Sequence, residues 1–161
     1  MRKLYKLAFL CFLCLFLSSC ALKNKMQSQS AFVVLKTPQF KFSDYGFLYQ
    51  GKNITQLELY NASRVLFKLQ ITDKICINGI CYAKTLFNQK FFNYEHYDDF
   101  LQDVISKKPI YQGKNEIQNS CGFSQKLKTK NYDIYYEVCG NNINFNDKKS
   151  KIKFSIKLVD N

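Results

Sequence analysis

Side chains that commonly carry catalysis or bind metals are scarce in this sequence of 161 residues. It has a single histidine, His96, no tryptophan and, beyond the first six residues, a single arginine, Arg64. This shortage disfavours histidine-based metal centres and Ser-His-Asp catalysis. The sequence also has no zinc-protease, serine-hydrolase, P-loop or dinucleotide-binding pattern. We therefore predict a non-enzymatic protein with no metal and no cofactor.

Glycine and proline are also few, with 6 and 2 residues, and charged residues make up 22% of the chain. Such a composition excludes a disordered or repeat-fibrous protein. Apolar residues make up 47%, including 15 Phe and 11 Tyr, which is enough for one packed core. At this length we predict a single globular domain.

The first 19 residues have the pattern of an export signal. Three basic residues lie within positions 2–6, uncharged and mostly apolar residues fill positions 7–17, and Ser18 and Ser19 follow. The apolar run is shorter than the roughly 20 residues that a transmembrane helix needs. We predict that residues 1–19 are cleaved off. The alternatives are an uncleaved membrane anchor and an ordinary secretory signal followed by an incidental cysteine.

The sequence Leu17-Ser18-Ser19-Cys20 resembles the lipobox of bacterial lipoproteins. The resemblance implies that Cys20 becomes the first mature residue, carries a diacylglyceryl group on its sulfur and gains a further acyl chain, such as palmitate, on its amine. Several acyl chains anchor a protein stably, whereas one chain binds a membrane only marginally. Ala21 in place of Asp resembles the sorting pattern of enteric lipoproteins, which implies the periplasmic face of the outer membrane.

Residues 20–30 are predicted to be the lipidated cysteine and a polar tether, and residues 31–161 the folded domain. The heavy use of Lys, Asn, Ile, Phe and Tyr, together with the lipobox, resembles the small lipoproteins of AT-rich Gram-negative bacteria. That resemblance implies a location in the bacterial cell envelope, and no particular activity.

Four of the seven cysteines lie in the predicted domain, and an even number suits a disulfide framework in an exported protein. Asn78-Gly79 between apolar residues predicts a type I′ hairpin, which places Cys76 opposite Cys81 at a disulfide-compatible distance. Cys121 and Cys139 are then left to pair with each other. A zinc site or a redox site is the alternative, although neither has its usual cysteine spacing.

Alternation of apolar and polar residues dominates the predicted domain and is clearest at residues 151–158. One segment instead has the spacing of an amphipathic helix, carried by Tyr97, Phe100, Leu101, Val104 and Ile105. We predict a β-rich α+β fold. It has a mainly antiparallel sheet of about eight strands, as a sandwich or partial barrel, and one helix near residues 95–107.

The remaining clusters of polar residues suggest little chemistry. Glu95, Asp98, Asp99 and Asp103 surround His96 and could form a cation or acid/base site, but carboxylates near a helix N-terminus stabilise it without a ligand. The net charge is +12, or +9 once Arg2, Lys3 and Lys6 leave with the signal. Because nearly all of this charge is lysine, nucleic-acid binding is disfavoured. The lysines are interpreted as a solvated face, and the alternative partners are anionic envelope components.

Two functional hypotheses follow. The first is a lipid-anchored periplasmic module that binds an envelope protein and assists envelope assembly. The second is a binding protein for a lipidic or anionic envelope ligand, held in the cavity of a barrel or sandwich. A mostly apolar cavity larger than about 300 Å³ would favour the second hypothesis, and a solid core would count against it.

Overall fold

Eleven β-strands form one antiparallel sheet in the computed structural model, which describes residues 26–159. The strands are β1 (Gln27–Lys36), β2 (Lys41–Gly51), β3 (Ile54–Asn61), β4 (Arg64–Ile71), β5 (Lys74–Ile77), β6 (Ile80–Ala83), β7 (Glu116–Asn119), β8 (Gly122–Lys128), β9 (Asp133–Cys139), β10 (Asn142–Asp147) and β11 (Ile152–Leu158). Two helices, α1 (Lys84–Phe92) and α2 (Phe100–Ile105), connect β6 to β7. A short 3-10 turn at Tyr111–Gly113 follows α2.

The strand order is β6-β5-β4-β3-β2-β1-β11-β10-β9-β8-β7. Each half is a simple meander, and β1 joins the halves by pairing with β11, where Val33 lies opposite Ile156. The edge strands β6 and β7 do not pair, so the sheet is open. The prediction of a β-rich, mainly antiparallel fold is confirmed, but the described residues form one open sheet of eleven strands and not a sandwich of about eight.

Burial along the strands follows the predicted period of two. In β11 the side chains of Ile152, Phe154, Ile156 and Leu158 are buried, whereas Lys153 and Lys157 between them are exposed. Strands β9 and β10 alternate in the same way, with Tyr136, Ile143 and Phe145 among their buried residues. One face of the sheet therefore holds the core and the other faces solvent.

Two hydrogen bonds between α2 and the sheet show that the sheet is strongly curved. Gln102 donates through Nε2 to Oγ1 of Thr55 on β3 at 2.7 Å, and the hydroxyl of Tyr136 on β9 donates to the carbonyl of Val104 at 3.1 Å. In a flat sheet β3 and β9 would lie about 24 Å apart, since neighbouring strands are roughly 4.8 Å apart. Two residues of one helix turn reach both strands only because the sheet wraps around α2.

The helices differ from the prediction. The expected helix near 95–107 is limited to Phe100–Ile105, so Glu95 and Asp98 precede it and Lys107, with φ of 59°, lies beyond its end. Helix α1 was not predicted because its apolar residues do not form one stripe. Phe87 and Phe92 are buried, whereas Leu86 and Phe91 are exposed.

The described part of the chain contains both predicted disulfides. Asn78 and Gly79 have φ of 48° and 86°, as a type I′ turn requires, and Cys76 pairs with Cys81 across β5 and β6. The second bond joins Cys121 and Cys139 at the ends of β8 and β9. In the loop-entropy description the bonds contribute about 2 and about 3 kcal/mol to stability, respectively.

The predicted signal, the lipobox and Cys20 lie outside the described residues. Strand β1 begins at Gln27, so the last four residues of the predicted tether, 27–30, are strand and pair with β2. The folded domain therefore starts before Ala31, its predicted first residue. Within residues 26–159, no helix is both long and apolar enough to cross a bilayer.

Candidate functional site

A cavity of about 520 Å³ lies between the core face of the sheet and the two helices. Its walls come from β1, β3, β4, β5, β6 and β11, from both helices, and from the loop that connects β1 to β2. The apolar side chains that line it are Val33, Leu35, Pro38, Phe40, Leu57, Leu66, Phe67, Leu69, Ile77, Phe87, Phe91, Phe92, Leu101, Ile105, Ile152, Phe154 and Ile156. The core is therefore not solid on this side of the molecule.

The opposite half of the curved sheet is filled by aromatic side chains. Phe100 of α2 lies at its centre, with ring centroids 5.2 Å from Phe92 and 5.9 Å from Phe145 on β10. The ring of His96 stacks on Phe100 at 3.9 Å. These rings fill the space beside β9 and β10 and leave the space beside β4 and β5 open, which α2 borders through Leu101 and Ile105.

The burial of its lining residues distinguishes the interior of the cavity from its opening. Leu57, Leu69 and Ile105 are almost fully buried and form the interior. Leu66 and Phe91 also line the cavity but keep 44% and 36% of their surface exposed to solvent. The cavity therefore opens to the outside between the start of β4 and the end of α1.

Aromatic residues surround this opening. Phe91 stacks on Phe87 with ring centroids 4.2 Å apart, and Tyr82 of β6 meets both rings edge-on at 6.4 Å. The ammonium group of Lys90 lies 4.9 Å from the centroid of the Tyr82 ring. The polar lining residues are Thr37, Gln39, Asn78, Tyr82, Lys90, Asn93 and Ser150. The cavity is thus mainly apolar, with a few polar groups.

The acidic residues near His96 either have partners within the protein or face solvent. Asp99 accepts a salt bridge from Lys84 at 2.6 Å, Asp103 accepts a hydrogen bond from the Tyr97 hydroxyl at 2.9 Å, and Glu95 and Asp98 are exposed. Within residues 26–159, no group of three or more His, Cys, Asp and Glu side chains could hold a metal ion. Asp99 and Asp103 thus serve as local structural partners of Lys84 and Tyr97.

His96 itself is a core residue, 1% exposed. Its Nδ1 lies 2.5 Å from the hydroxyl of Tyr111, and its Nε2 has no hydrogen-bond partner among the described residues. Burial lowers the pKa of His96 to about 4, although the nearby Asp147 carboxylate opposes that shift. The imidazole is therefore neutral at physiological pH and serves as a flat, nearly apolar surface for Phe100.

This burial predicts acid destabilisation. Above pH 6.5 His96 is neutral in both states, but below it the unfolded chain takes up a proton that the folded chain accepts only near pH 4. The free energy of unfolding should therefore fall by about 3 kcal/mol as the pH is lowered from 6.5 to about 4. Urea unfolding of the wild type and His96→Phe at several pH values measures the loss. A wild-type pH dependence equal to that of the variant would contradict this origin.

Three tyrosines on and beside β9 have structural roles. Tyr136 is fully buried and holds α2 through Val104, and Tyr132 is buried beside Tyr111 with ring centroids 5.3 Å apart. Tyr135 points to the outer face, where the Lys126 ammonium group lies 5.9 Å from its ring centroid. None of these three residues lines the cavity.

The fold and site together define a class of protein: an open, curved antiparallel sheet whose concave face is partly covered by two helices over an apolar cavity. Comparison with known proteins finds no matching family and no matching curated sequence. The function must therefore be argued from the cavity.

Sequence reasoning identified none of the cavity residues as a site. Most of them, such as Leu57 and Ile156, are ordinary inward-facing strand residues, and only the curvature of the sheet brings them around one space. Lys90 and Phe91 belong to α1, the helix that was not predicted. The available signal was the segment 84–92 itself, where aromatic residues occur on more than one side of a helix.

Proposed function

We propose that this protein binds the acyl chain of a lipid in the cavity between its sheet and helices, as a non-enzymatic module anchored through a lipidated Cys20. The observation that carries the proposal is the mainly apolar cavity of about 520 Å³, which is larger than the threshold of about 300 Å³ and lies within the usual size range of ligand pockets. This favours the second of the two hypotheses drawn from the sequence, the binding protein for a lipidic ligand.

The chemistry of the walls suits a hydrocarbon chain. Moving a methylene group from water into apolar surroundings is favourable by about 0.8 kcal/mol, so a long chain gains several kcal/mol on entering such a space. Buried walls such as Leu57, Leu69 and Ile156 offer only aliphatic contacts. A strongly polar or multiply charged ligand would leave most of its groups without partners there.

The opening and the proposed anchor fit a lipid ligand. Leu66 and Phe91 present apolar surface at the entrance, where a chain would pass from a membrane or carrier into the cavity. A lipidated Cys20 at the periplasmic face of the outer membrane would hold the domain beside lipids. The excess of lysine would attract the domain to anionic envelope surfaces.

A fluorescent fatty acid tests the proposal. The mature chain, exported behind a cleavable signal and carrying Cys20→Ala so that it is free of its own acyl groups, would be titrated with cis-parinaric acid. We expect a saturable rise in fluorescence that corresponds to one site and is reversed by oleic acid. A linear, non-saturating response would contradict acyl-chain binding and would return preference to the envelope-protein hypothesis.

A further inference from the structure

The lining of the cavity carries charge of one sign only. Among the described residues that line it, Lys90 is the single ionisable residue that is charged at neutral pH, and no Asp or Glu is present. The lining therefore offers a positive charge to a ligand and no negative charge. Such an arrangement distinguishes an anionic ligand from a neutral one.

Lys90 is placed at the opening and not in the interior. It lies on the last turn of α1, next to the partly exposed Phe91, and its side chain is exposed to solvent. Its ammonium group rests 4.9 Å from the centroid of Tyr82, another lining residue. This cation–π contact favours a position of the ammonium group beside Tyr82, close to the entrance.

Within residues 26–159, Lys90 forms no salt bridge. Lys84, six residues earlier on the same helix, is paired with Asp99 at 2.6 Å, and Lys68 is paired with Glu58 at 3.3 Å. Lys90 thus differs from these two lysines in lining the cavity and in having no protein carboxylate beside it.

We infer that Lys90 binds the anionic head group of a single-chain lipid whose hydrocarbon tail occupies the cavity. This rests on the proposed function and adds the ligand class: an acyl chain ending in a carboxylate or a phosphate. The tail lies against the buried aliphatic walls, and the head stays at the solvent-exposed opening, where an anion keeps much of its hydration. The side-chain amide of Asn78 is another donor group in the lining of the cavity.

The test compares three ligands with the same oleoyl chain and different head groups. Oleic acid carries a carboxylate, oleoyl lysophosphatidic acid carries a phosphate, and monoolein is uncharged. Each would displace cis-parinaric acid from the mature chain with Cys20→Ala, at low ionic strength and mildly alkaline pH so that both acids are ionised. The variants are Lys90→Gln, which removes the charge, and Lys90→Arg, which keeps it. Lys153→Gln on the outer face of β11 is the matched control for net charge.

We expect Lys90→Gln to weaken binding of at least one anionic ligand about fivefold and to leave monoolein unchanged. Lys90→Arg should retain anion binding, Lys153→Gln should behave as the wild type, and added salt should reduce the anion preference. The anionic ligand that loses more affinity identifies the head group, carboxylate or phosphate.

Two results would overturn the inference. An equal loss for monoolein would show that Lys90 acts through its apolar stem, and an unchanged affinity for both acids would show that its charge is not used. Failure of the proposed function is distinguishable from either result, because the wild type would then bind none of the three ligands.

Discussion

Filling the cavity from its walls is expected to abolish acyl-chain binding while leaving the fold intact. Leu69→Trp on β4 and Ile156→Phe on β11 each place an added aromatic ring into the space from a different wall. The side chain then occupies volume that the hydrocarbon chain needs. We expect the affinity for cis-parinaric acid to fall at least about tenfold, the equivalent of roughly 1.4 kcal/mol.

The controls for this experiment conserve volume. Leu69→Met and Ile156→Leu keep apolar side chains of similar size at the same positions and should bind as the wild type does. Overpacking a filled core typically destabilises a protein by roughly 1–3 kcal/mol. Both large residues enter an existing space, so we expect a smaller loss of stability here. Urea unfolding checks this. Wild-type affinity in two folded cavity-filling variants would show that the probe binds elsewhere.

Replacing Cys20 with alanine is expected to abolish lipidation, and with it the attachment of the mature protein to the membrane. Under the lipoprotein hypothesis, the sulfur of Cys20 carries two acyl chains and its amine carries a third. Each chain stabilises membrane attachment by about 0.8 kcal/mol per buried methylene group. Without the sulfur no diacylglyceryl group can be added. We therefore expect Cys20→Ala to appear as a soluble protein or as an unprocessed precursor, without the mass of the lipid.

Cell fractionation and intact-mass measurement test this second prediction. Cys14→Ala, which lies six residues earlier within the predicted signal, is the matched control and should leave processing and attachment unchanged. Normal membrane attachment and lipid mass in the Cys20→Ala protein would contradict the anchor assignment. That result would support an uncleaved signal or another attachment site.

Local patterns predicted the sheet well where one strand pair could be read by itself. The Asn78-Gly79 turn determines the register that places Cys76 opposite Cys81, and both residues have the positive φ that the turn requires. The alternation in β11 likewise follows from its own residues. These features need no information from distant parts of the chain.

Strands β7 and β10 have no clear strand pattern in the sequence and depend on their neighbours. Strand β10 has the sequence Asn-Ile-Asn-Phe-Asn-Asp, and asparagine and aspartate disfavour strands. It forms because β9 and β11 pair with it on both sides, with Phe145 opposite Tyr136 and Phe154. Strand β7 is only four residues long and pairs with β8 alone. Tertiary pairing therefore outweighed weak local preference.

The cavity could not be predicted because it depends on how far the helices fill the curved sheet. Helix α2 is hydrogen-bonded to β9 through Tyr136 and to β3 through Gln102, and the stacked rings of His96 and Phe100 fill the side of β9 and β10. No periodic signal in the sequence specifies that the other side remains open. Nothing in the sequence distinguishes Lys90 from the other lysines, because its position beside the opening depends on α1, which was not predicted.

Photolabelling with a diazirine-bearing fatty acid tests the central claim, acyl-chain binding in this cavity, most directly. The mature Cys20→Ala chain would be irradiated with the probe and digested, and the labelled residues identified by mass spectrometry. We predict labels on cavity-lining residues of β4 and β11, such as Leu69 and Ile156, which excess oleic acid removes. Labels confined to the outer face of the sheet, or labelling that oleic acid does not displace, would contradict it.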